Sequence, residues 1–264
     1  MTQAIARRGV GLGLAFLIGL AAYGQGMYWE TRMTGHGQES MTKMYAMPKM
    51  FKTTESDEGD AVIVRLDKEL IYQINAKEKT YSEMTFAELE VMMKKMGGKM
   101  DDAMAQMQEK MKDMPEEQRK MMEQMMGGRM PGKKDAKVDV KNTGETKTIS
   151  GFSCTKYVVS QDGKEAMTLW ATKEVKDFGA LRKDWEEFSK RIMAMNPMGM
   201  KGLAEGMKKV DGFPIQTEMG QGITTLVTKV EKRSTPASEF TVPAGYKKVG
   251  SKMMEGMERG EENE

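Results

Sequence analysis

The chain has 264 residues, and its 41 Lys and Arg residues nearly balance its 39 Asp and Glu residues. Because the two signs are interspersed and the net charge is +2, the composition excludes a basic surface for nucleic acid. The single cysteine, Cys154, excludes an intrachain disulfide, so we expect packing to stabilise the fold and this thiol to be buried in the core.

The first segment has the pattern of a secretory signal peptide. Arg7 and Arg8 precede the uncharged residues 9–24, whose apolar core at 10–22 is shorter than the roughly 18 residues of a membrane span. We therefore predict that residues 1–24 are a signal peptide cleaved after Gly24, with an uncleaved anchor as the alternative. This predicts a periplasmic or secreted protein of a Gram-negative bacterium that meets the membrane only through the transient signal peptide.

Residues 25–250 are predicted to form a single β-rich domain. Short β-branched or aromatic runs separated by charged turns indicate a meander of antiparallel hairpins over 61–66, 70–75 and 80–84. Two further strands are predicted upstream, at 27–33 and 44–54. Pro48 would confine the second of these to an edge or a bulge.

Residues 86–130 are of a different kind, because methionines recur there at steps of three and four. This spacing predicts two amphipathic helices, the first weakened by Gly97 and Gly98 and the second beginning at Pro115. A stripe of flexible, polarizable thioethers can repack around an apolar ligand. The candidate ligand-binding residues are the methionine face and two tryptophans: Met93, Met96, Met100, Met104, Met107, Met111, Met122, Met125, Trp170 and Trp185.

Other interpretations of the methionine stripe stay open. Thioethers are soft ligands that prefer Cu(I), and methionines one helical turn apart are close enough to share a Cu(I) or Ag(I) ion. The candidate metal ligands are Met100, Met104, Met107, Met111, Met121 and Met125. The stripe can also pack as ordinary core, or contact a client protein of the envelope. No cofactor is predicted.

The second half of the domain returns to strand patterns. Strands are predicted at 137–142, 145–150, 155–160 and 166–172, with turns at Asn142-Thr143-Gly144 and Asp162-Gly163. A helix over 179–195 and a short one over 202–209 precede strands at 214–219 and 223–231. The nine or ten strands suffice for a strongly curved sheet or open barrel, and residues 251–264 are predicted as a disordered tail.

The sequence contains no recognisable arrangement of catalytic residues. His36 is the only histidine, and it lies between two glycines near the predicted mature start. Nucleophilic triads and histidine-based zinc sites need more partners than this. We expect His36 to be exposed in a loop and the protein to be non-enzymatic.

Several short motifs, taken in order, resemble an uncharacterised secreted bacterial family, the domain of unknown function family 4412. They lie at residues 64–84, 149–157, 168–172 and 240–246. The resemblance implies an α+β fold similar to the periplasmic lipoprotein carriers, in which a strongly curved antiparallel sheet forms a half-open barrel closed by helices. The methionine-rich insertion would then pack on the concave face, which can hold an acyl chain. The resemblance implies a lipid or other apolar ligand and no catalytic residues.

Overall fold

The computed structural model describes residues 23–55, 59–112, 137–176, 178–194 and 206–251, together with 115, 117 and 118. The predicted signal peptide up to residue 22, the second methionine-rich helix apart from those three residues, and the tail beyond Ser251 lie outside the described residues. The first strand begins at Tyr23, so the predicted cleavage point falls among its first residues. Of the helix predicted over 202–209, residues 206 and 207 are described as helical.

The first half of the described chain is a run of six antiparallel strands followed by a helix. The strands are β1 (Tyr23–Gly35), β2 (Gln38–Met47), β3 (Met50–Glu55), β4 (Ala61–Arg65), β5 (Leu70–Asn75) and β6 (Thr80–Thr85). Helix α1 (Phe86–Lys112) begins directly after β6. The Thr85 hydroxyl accepts from the Glu88 backbone N–H at 3.1 Å and the Glu88 carboxylate accepts from the Thr85 N–H at 2.7 Å, which is a capping box.

The second half adds five more antiparallel strands, one helix and a short final strand. They are β7 (Val138–Ile149), β8 (Phe152–Gln161), β9 (Lys164–Thr172), α2 (Phe178–Ala194), β10 (Phe213–Met219), β11 (Ile223–Pro236) and β12 (Lys247–Lys248). Two 3₁₀ turns, Gly220–Gly222 and Ala237–Phe240, flank β11.

All twelve described strands belong to one sheet, in the order β12-β6-β5-β4-β3-β2-β1-β11-β10-β9-β8-β7. Every neighbouring pair is antiparallel except β12 with β6. The long strands β1 and β11 join the meander β1–β6 to the meander β7–β11. The predicted antiparallel, unclosed sheet is confirmed, with twelve strands instead of nine or ten.

Left-handed backbone conformations close the tightest hairpins. Two consecutive residues with positive φ occupy each of three turns, which matches the right-handed twist of the flanking strands: His36-Gly37, Ser150-Gly151 and Asp162-Gly163. The predicted turn at Asp162-Gly163 and the predicted exposed position of His36 are both confirmed.

The predicted turn at Asn142-Thr143-Gly144 is wrong, because β7 continues through these residues. The register with β8 shifts there, which marks a bulge within one long strand. The Asn142 side-chain oxygen accepts from the Gly144 N–H at 2.9 Å, and the Thr143 hydroxyl accepts from the Glu145 N–H at 3.2 Å. These local side-chain bonds are the same ones that stabilise turns, so the sequence pattern does not separate the two structures.

The single strand predicted over 44–54 is also wrong. The chain reverses at Pro48 and Lys49, and Met47 pairs with Met50 across the resulting hairpin of β2 and β3. Lys49 adopts a positive φ of 59°. Proline therefore occupies a turn here instead of an edge or a bulge.

A side-chain contact shows that the sheet bends strongly at the β7–β8 hairpin. The Ser150 hydroxyl, in the hairpin turn, donates to the backbone carbonyl of Val227 in β11 at 2.7 Å. Strands β9 and β10 lie between β8 and β11, so a flat sheet would separate these strands by about 14 Å. The hairpin therefore folds over its neighbours to reach β11.

We call the helix-covered side of β1–β6 the inner face. Cross-strand pairing aligns one row of side chains on it: Met27, Ala46, Phe51, Val64, Ile71 and Met84. Helix α1 packs on the main core cluster through Phe86, Leu89 and Met92, and α2 does so through Leu181. The Trp185 and Phe51 rings meet edge to face, 5.6 Å apart.

The described core contacts of helix α1 are made along its first two turns. Met92 is 4% exposed and Met93 packs against the core cluster, whereas from Lys94 to Lys112 the described side chains are mostly exposed. The helix continues through Gly97 and Gly98, which were expected to weaken it.

A second cluster covers the β7–β9 end of the sheet. Val159 and Leu169 are fully buried there and pack with Val210. The Arg182 guanidinium of α2 donates to the carbonyls of Lys208 and Val210 at 2.7 and 3.1 Å. This side chain therefore ties α2 to residues 206–210.

The opposite side of β1–β6, the outer face, is covered by the chain that follows β11. Phe240 is fully buried there and packs with Ile63 and Ile74. The Arg65 guanidinium donates to the Phe240 carbonyl at 3.1 Å and pairs with both carboxylate oxygens of Asp67, which lowers the pKa of that carboxyl. The closing motif at 240–246 thus fixes the outer face.

We expect Phe240→Ala to destabilise the protein by about 3–5 kcal/mol, because it leaves a cavity in a fully enclosed site. Urea unfolding followed by circular dichroism measures this loss. Glu239→Gln is the neighbouring control and should change stability by less than about 1 kcal/mol, since its ion pair with Lys52 is partly exposed. Equal losses in the two variants would contradict the anchoring role of Phe240.

Cys154 is fully buried in the core cluster, as predicted. Burial raises the pKa of its thiol. The folded protein therefore holds the thiol proton more tightly than the unfolded chain does. The stability that this proton contributes is complete below the ordinary thiol pKa and declines as the pH rises through the raised one.

We expect wild-type protein to lose more stability than Cys154→Ala as the pH rises from about 7 to about 10, across the ordinary thiol pKa. The difference should not exceed the roughly 1.4 kcal/mol per pH unit that one proton contributes. Urea midpoints measured over this range test the prediction. Parallel pH profiles in the two proteins would rule out the raised thiol pKa.

Candidate functional site

The helices cover only part of the inner face. A second row of side chains runs beside Met27, Ala46, Phe51 and Val64. Each of its members lies two positions away on the same strand and therefore on the same side of the sheet. We call this uncovered region the open strip. In β1–β4 it comprises Trp29, Thr31, Met33, Thr42, Met44, Thr53 and Val62.

Exposure changes abruptly at the border of the open strip. Val64 is 6% exposed, and Val62, two residues earlier on the same strand, is 42% exposed. Along β1 the exposed fraction rises from 2% at Met27 to 46% at Met33. Trp185 lies over Phe51 at this border and is itself 41% exposed. The apolar inner face therefore extends beyond the helices that cover it.

The open strip continues onto the second meander. Met33 pairs with Thr225 of β11, and Thr225 pairs with Thr217 of β10. Two residues before Thr225 on β11, Ile223 pairs with Met219 of β10, which is 37% exposed. These four residues of β10 and β11 belong to the open strip.

Covered regions border the open strip along one side and at one end. The residues under α1 and α2 lie along one side, and at the β10 end lies Leu169, which pairs with Thr217 and is enclosed by the second cluster. From β4 to β10 the open strip crosses five strand intervals of about 4.8 Å, or about 24 Å. This length is comparable with that of an extended fatty acyl chain.

The two faces of the sheet differ in charge at this point. The eleven residues of the open strip are uncharged, and Glu55, which pairs with Thr42 at the end of β3, lies beside them on the same face. Alternate positions on the outer face carry Glu30, Arg32, Lys43 and Lys52. The Tyr28 hydroxyl donates to Glu30 at 2.6 Å, and burial together with this carboxylate raises the pKa of Tyr28. A solvated sheet face normally carries mainly polar side chains, whereas six of the eleven residues of the open strip are apolar and the other five are threonines.

The candidate residues from the sequence are distributed over several environments. Met93 packs on the core, Met107 is exposed on α1, and Trp185 borders the open strip. Trp170 is 5% exposed in the core, with the Lys147 and Lys156 ammonium groups above its ring, so it lies apart from the open strip. The structure does not describe the side chains of the other methionines: Met96, Met100, Met104, Met111, Met121, Met122 and Met125.

The sequence analysis missed the methionines on the strands. Met33, Met44 and Met219 lie on the open strip, outside the methionine-rich residues 86–130 in which the binding site was predicted. The alternation of Met27, Trp29 and Met33 along β1 was the available signal, since a period of two places these side chains on one face.

Among the described residues there is no group of three or more His, Cys, Asp or Glu side chains arranged to hold a metal ion. No described helix combines the length and apolar character of a membrane span. The thioether metal site remains a prediction.

The fold and site define a β-rich protein whose open antiparallel sheet leaves an uncharged apolar strip beside its helices. The chain belongs to the family described as Domain of unknown function (DUF4412), whose model matches residues 87–246. This confirms the resemblance seen in the sequence. No curated protein shows significant similarity to the chain.

Three solved structures illustrate distant similarity. An uncharacterized conserved protein from Thermus thermophilus aligns at 10% identity and a TM-score of 0.41, covering 85% of this chain and 90% of that one. The Pseudomonas aeruginosa MucA/MucB complex aligns at 8% identity and a TM-score of 0.40, covering 85% of this chain and 58% of that one. PNGF-II aligns at 9% identity and a TM-score of 0.37, covering 88% of this chain and 32% of that one. The chain thus spans less than two thirds of the last two proteins, and similarity at this level does not bear on function.

Replacing each of the two valines at the border of the open strip with alanine should lower the free energy of unfolding by different amounts. We expect Val64→Ala to destabilise by about 2 kcal/mol and Val62→Ala by about 0.5–1 kcal/mol, since only Val64 is enclosed by the helices. Both substitutions carry the same change in strand propensity, so each controls for the other. Equal urea midpoints would show that the two positions are covered alike.

Proposed function

We propose that this is an exported, non-enzymatic binding protein whose open strip holds an apolar ligand of the acyl-chain type. The observation that carries the proposal is the uncharged and accessible continuation of the inner face beyond the helices. Contiguous exposed apolar surface on a soluble protein is uncommon and often marks a binding site. The signal-peptide pattern of residues 7–24 supports an envelope location.

The shape of the open strip suits a long, narrow ligand. The helix-covered residues border it along one side and the second cluster closes its β10 end, and its methionines can adjust to chains that differ in length or unsaturation. The threonines present hydroxyls that can bond to neighbouring backbone and leave their methyl groups to the ligand. No headgroup partner is needed for this mode of binding.

The expected affinity follows from the size of such a ligand. Burying about a dozen methylenes supplies roughly 10 kcal/mol. Association costs of about 4 kcal/mol or more leave roughly 6 kcal/mol, which corresponds to a Kd of tens of micromolar. Binding assays therefore need protein at comparable concentrations.

We expect Val62→Lys to weaken binding of an uncharged pyrene-labelled fatty alcohol about tenfold, because a charge then lies within the apolar contact. Fluorescence titration of the purified protein measures the change. The uncharged probe prevents the new lysine from attracting a carboxylate headgroup.

Val91→Lys is the matched control for this experiment. Val91 is 66% exposed on α1 and lies outside the open strip, so its replacement should leave the affinity within about twofold. Wild-type protein that does not take up the probe, and shows no lipid in native mass spectrometry, would eliminate the proposed function. Equal weakening by both substitutions would place the binding site elsewhere.

A further inference from the structure

The described methionines differ in access to solvent, and between an enclosed and an exposed group lie the half-buried Met41, Met44, Met50, Met93 and Met207. Five methionines are enclosed, with exposed fractions of 8% or less: Met27, Met47, Met84, Met92 and Met167. Three are large exposed hydrophobic residues: Met33 at 46%, Met219 at 37% and Met107 at 36%. Two of the exposed three, Met33 and Met219, belong to the open strip.

We propose that Met33 and Met219 are oxidation sites and that their conversion to sulfoxides prevents apolar-ligand binding. This inference rests on the function proposed above. The oxidant class is a peroxide or hypohalous acid. With hydrogen peroxide, the thioether sulfur attacks one oxygen, the O–O bond breaks and an S–O bond forms. The proton of the attacked oxygen passes to the departing hydroxide, which leaves as water. The sulfur is oxidised by two electrons and the peroxide is reduced.

Position makes oxidation of these two side chains consequential. A sulfoxide is polar and accepts hydrogen bonds, whereas a thioether packs as an apolar group. Met33 pairs across strands with Thr225, and Met219 with Ile223, so each sulfoxide would stand among the uncharged residues of the open strip. A ligand lying there would have to desolvate it.

Met107 provides an internal comparison. It is as exposed as Met219, but it lies on the part of α1 that extends beyond the core contacts. Oxidant should therefore reach Met107 and Met219 alike. Only the modification of Met33 and Met219 should affect the binding surface.

The test combines peptide mapping with ligand titration on the full-length protein. After brief hydrogen peroxide treatment of native protein, mass spectrometry should show Met33, Met219 and Met107 oxidised well ahead of Met27 and Met84. Affinity for the uncharged pyrene-labelled fatty alcohol should fall at least fivefold. The Met33→Leu/Met219→Leu variant, which keeps every other methionine, should lose less than twofold of its own starting affinity after the same treatment.

Glutamine replacements supply an oxidant-free counterpart, since glutamine approximates the polarity of a sulfoxide. Met33→Gln/Met219→Gln should weaken binding without oxidant, and Met107→Gln should not. The inference is overturned if Met33 reacts no faster than Met27, or if the double leucine variant loses affinity to the same extent as wild type. Absence of probe binding before any oxidant would instead overturn the proposed function.

Discussion

The pairing of β1 with β11 is the contact on which the remaining architecture depends. It joins residues near the two ends of the described chain, with Thr31 opposite Val227. Closing so long a loop costs conformational entropy, but the cost grows only slowly with loop length. Two strands of 13 and 14 residues offset it with a long ladder of backbone hydrogen bonds. Without this ladder the two meanders would be separate sheets, and the open strip would be divided between β1 and β11.

The same pairing explains the position of the helices. Placing β1 and β11 at the centre moves β6 and β7 towards opposite ends of the sheet, although α1 begins the connection between them. The first two turns of α1 are held on the inner face by Phe86, Leu89 and Met92. Coverage of the inner face on β4 ends between Val64 and Val62, where the exposed fraction rises from 6% to 42%.

Local patterns predicted the fold well where they determine structure without distant partners. Charged turns and β-branched runs indicated β4, β5 and β6, and Asp162-Gly163 indicated the β8–β9 hairpin. The pattern failed at Asn142-Thr143-Gly144, because side-chain-to-backbone bonds stabilise bulges as well as turns and the pairing with β8 decides between them. It failed at Pro48 for a related reason, since a proline that interrupts a strand is compatible with an edge, a bulge or a reversal.

The candidate site was harder to predict than the fold, because six strands contribute to it and no sequence window contains more than a few of its residues. The methionine stripe of α1 is conspicuous in the sequence, yet Met92 serves as core packing and Met107 is exposed outside the core cluster. A protein that needed only stability would gain by extending a helix over Val62 and Met33, since each buried apolar side chain contributes about 1.5–3 kcal/mol. Leaving them uncovered sacrifices that free energy, and a ligand that buries the same surface restores it only while bound. Under the proposed function, incomplete coverage therefore couples the stability of the protein to occupancy of the open strip.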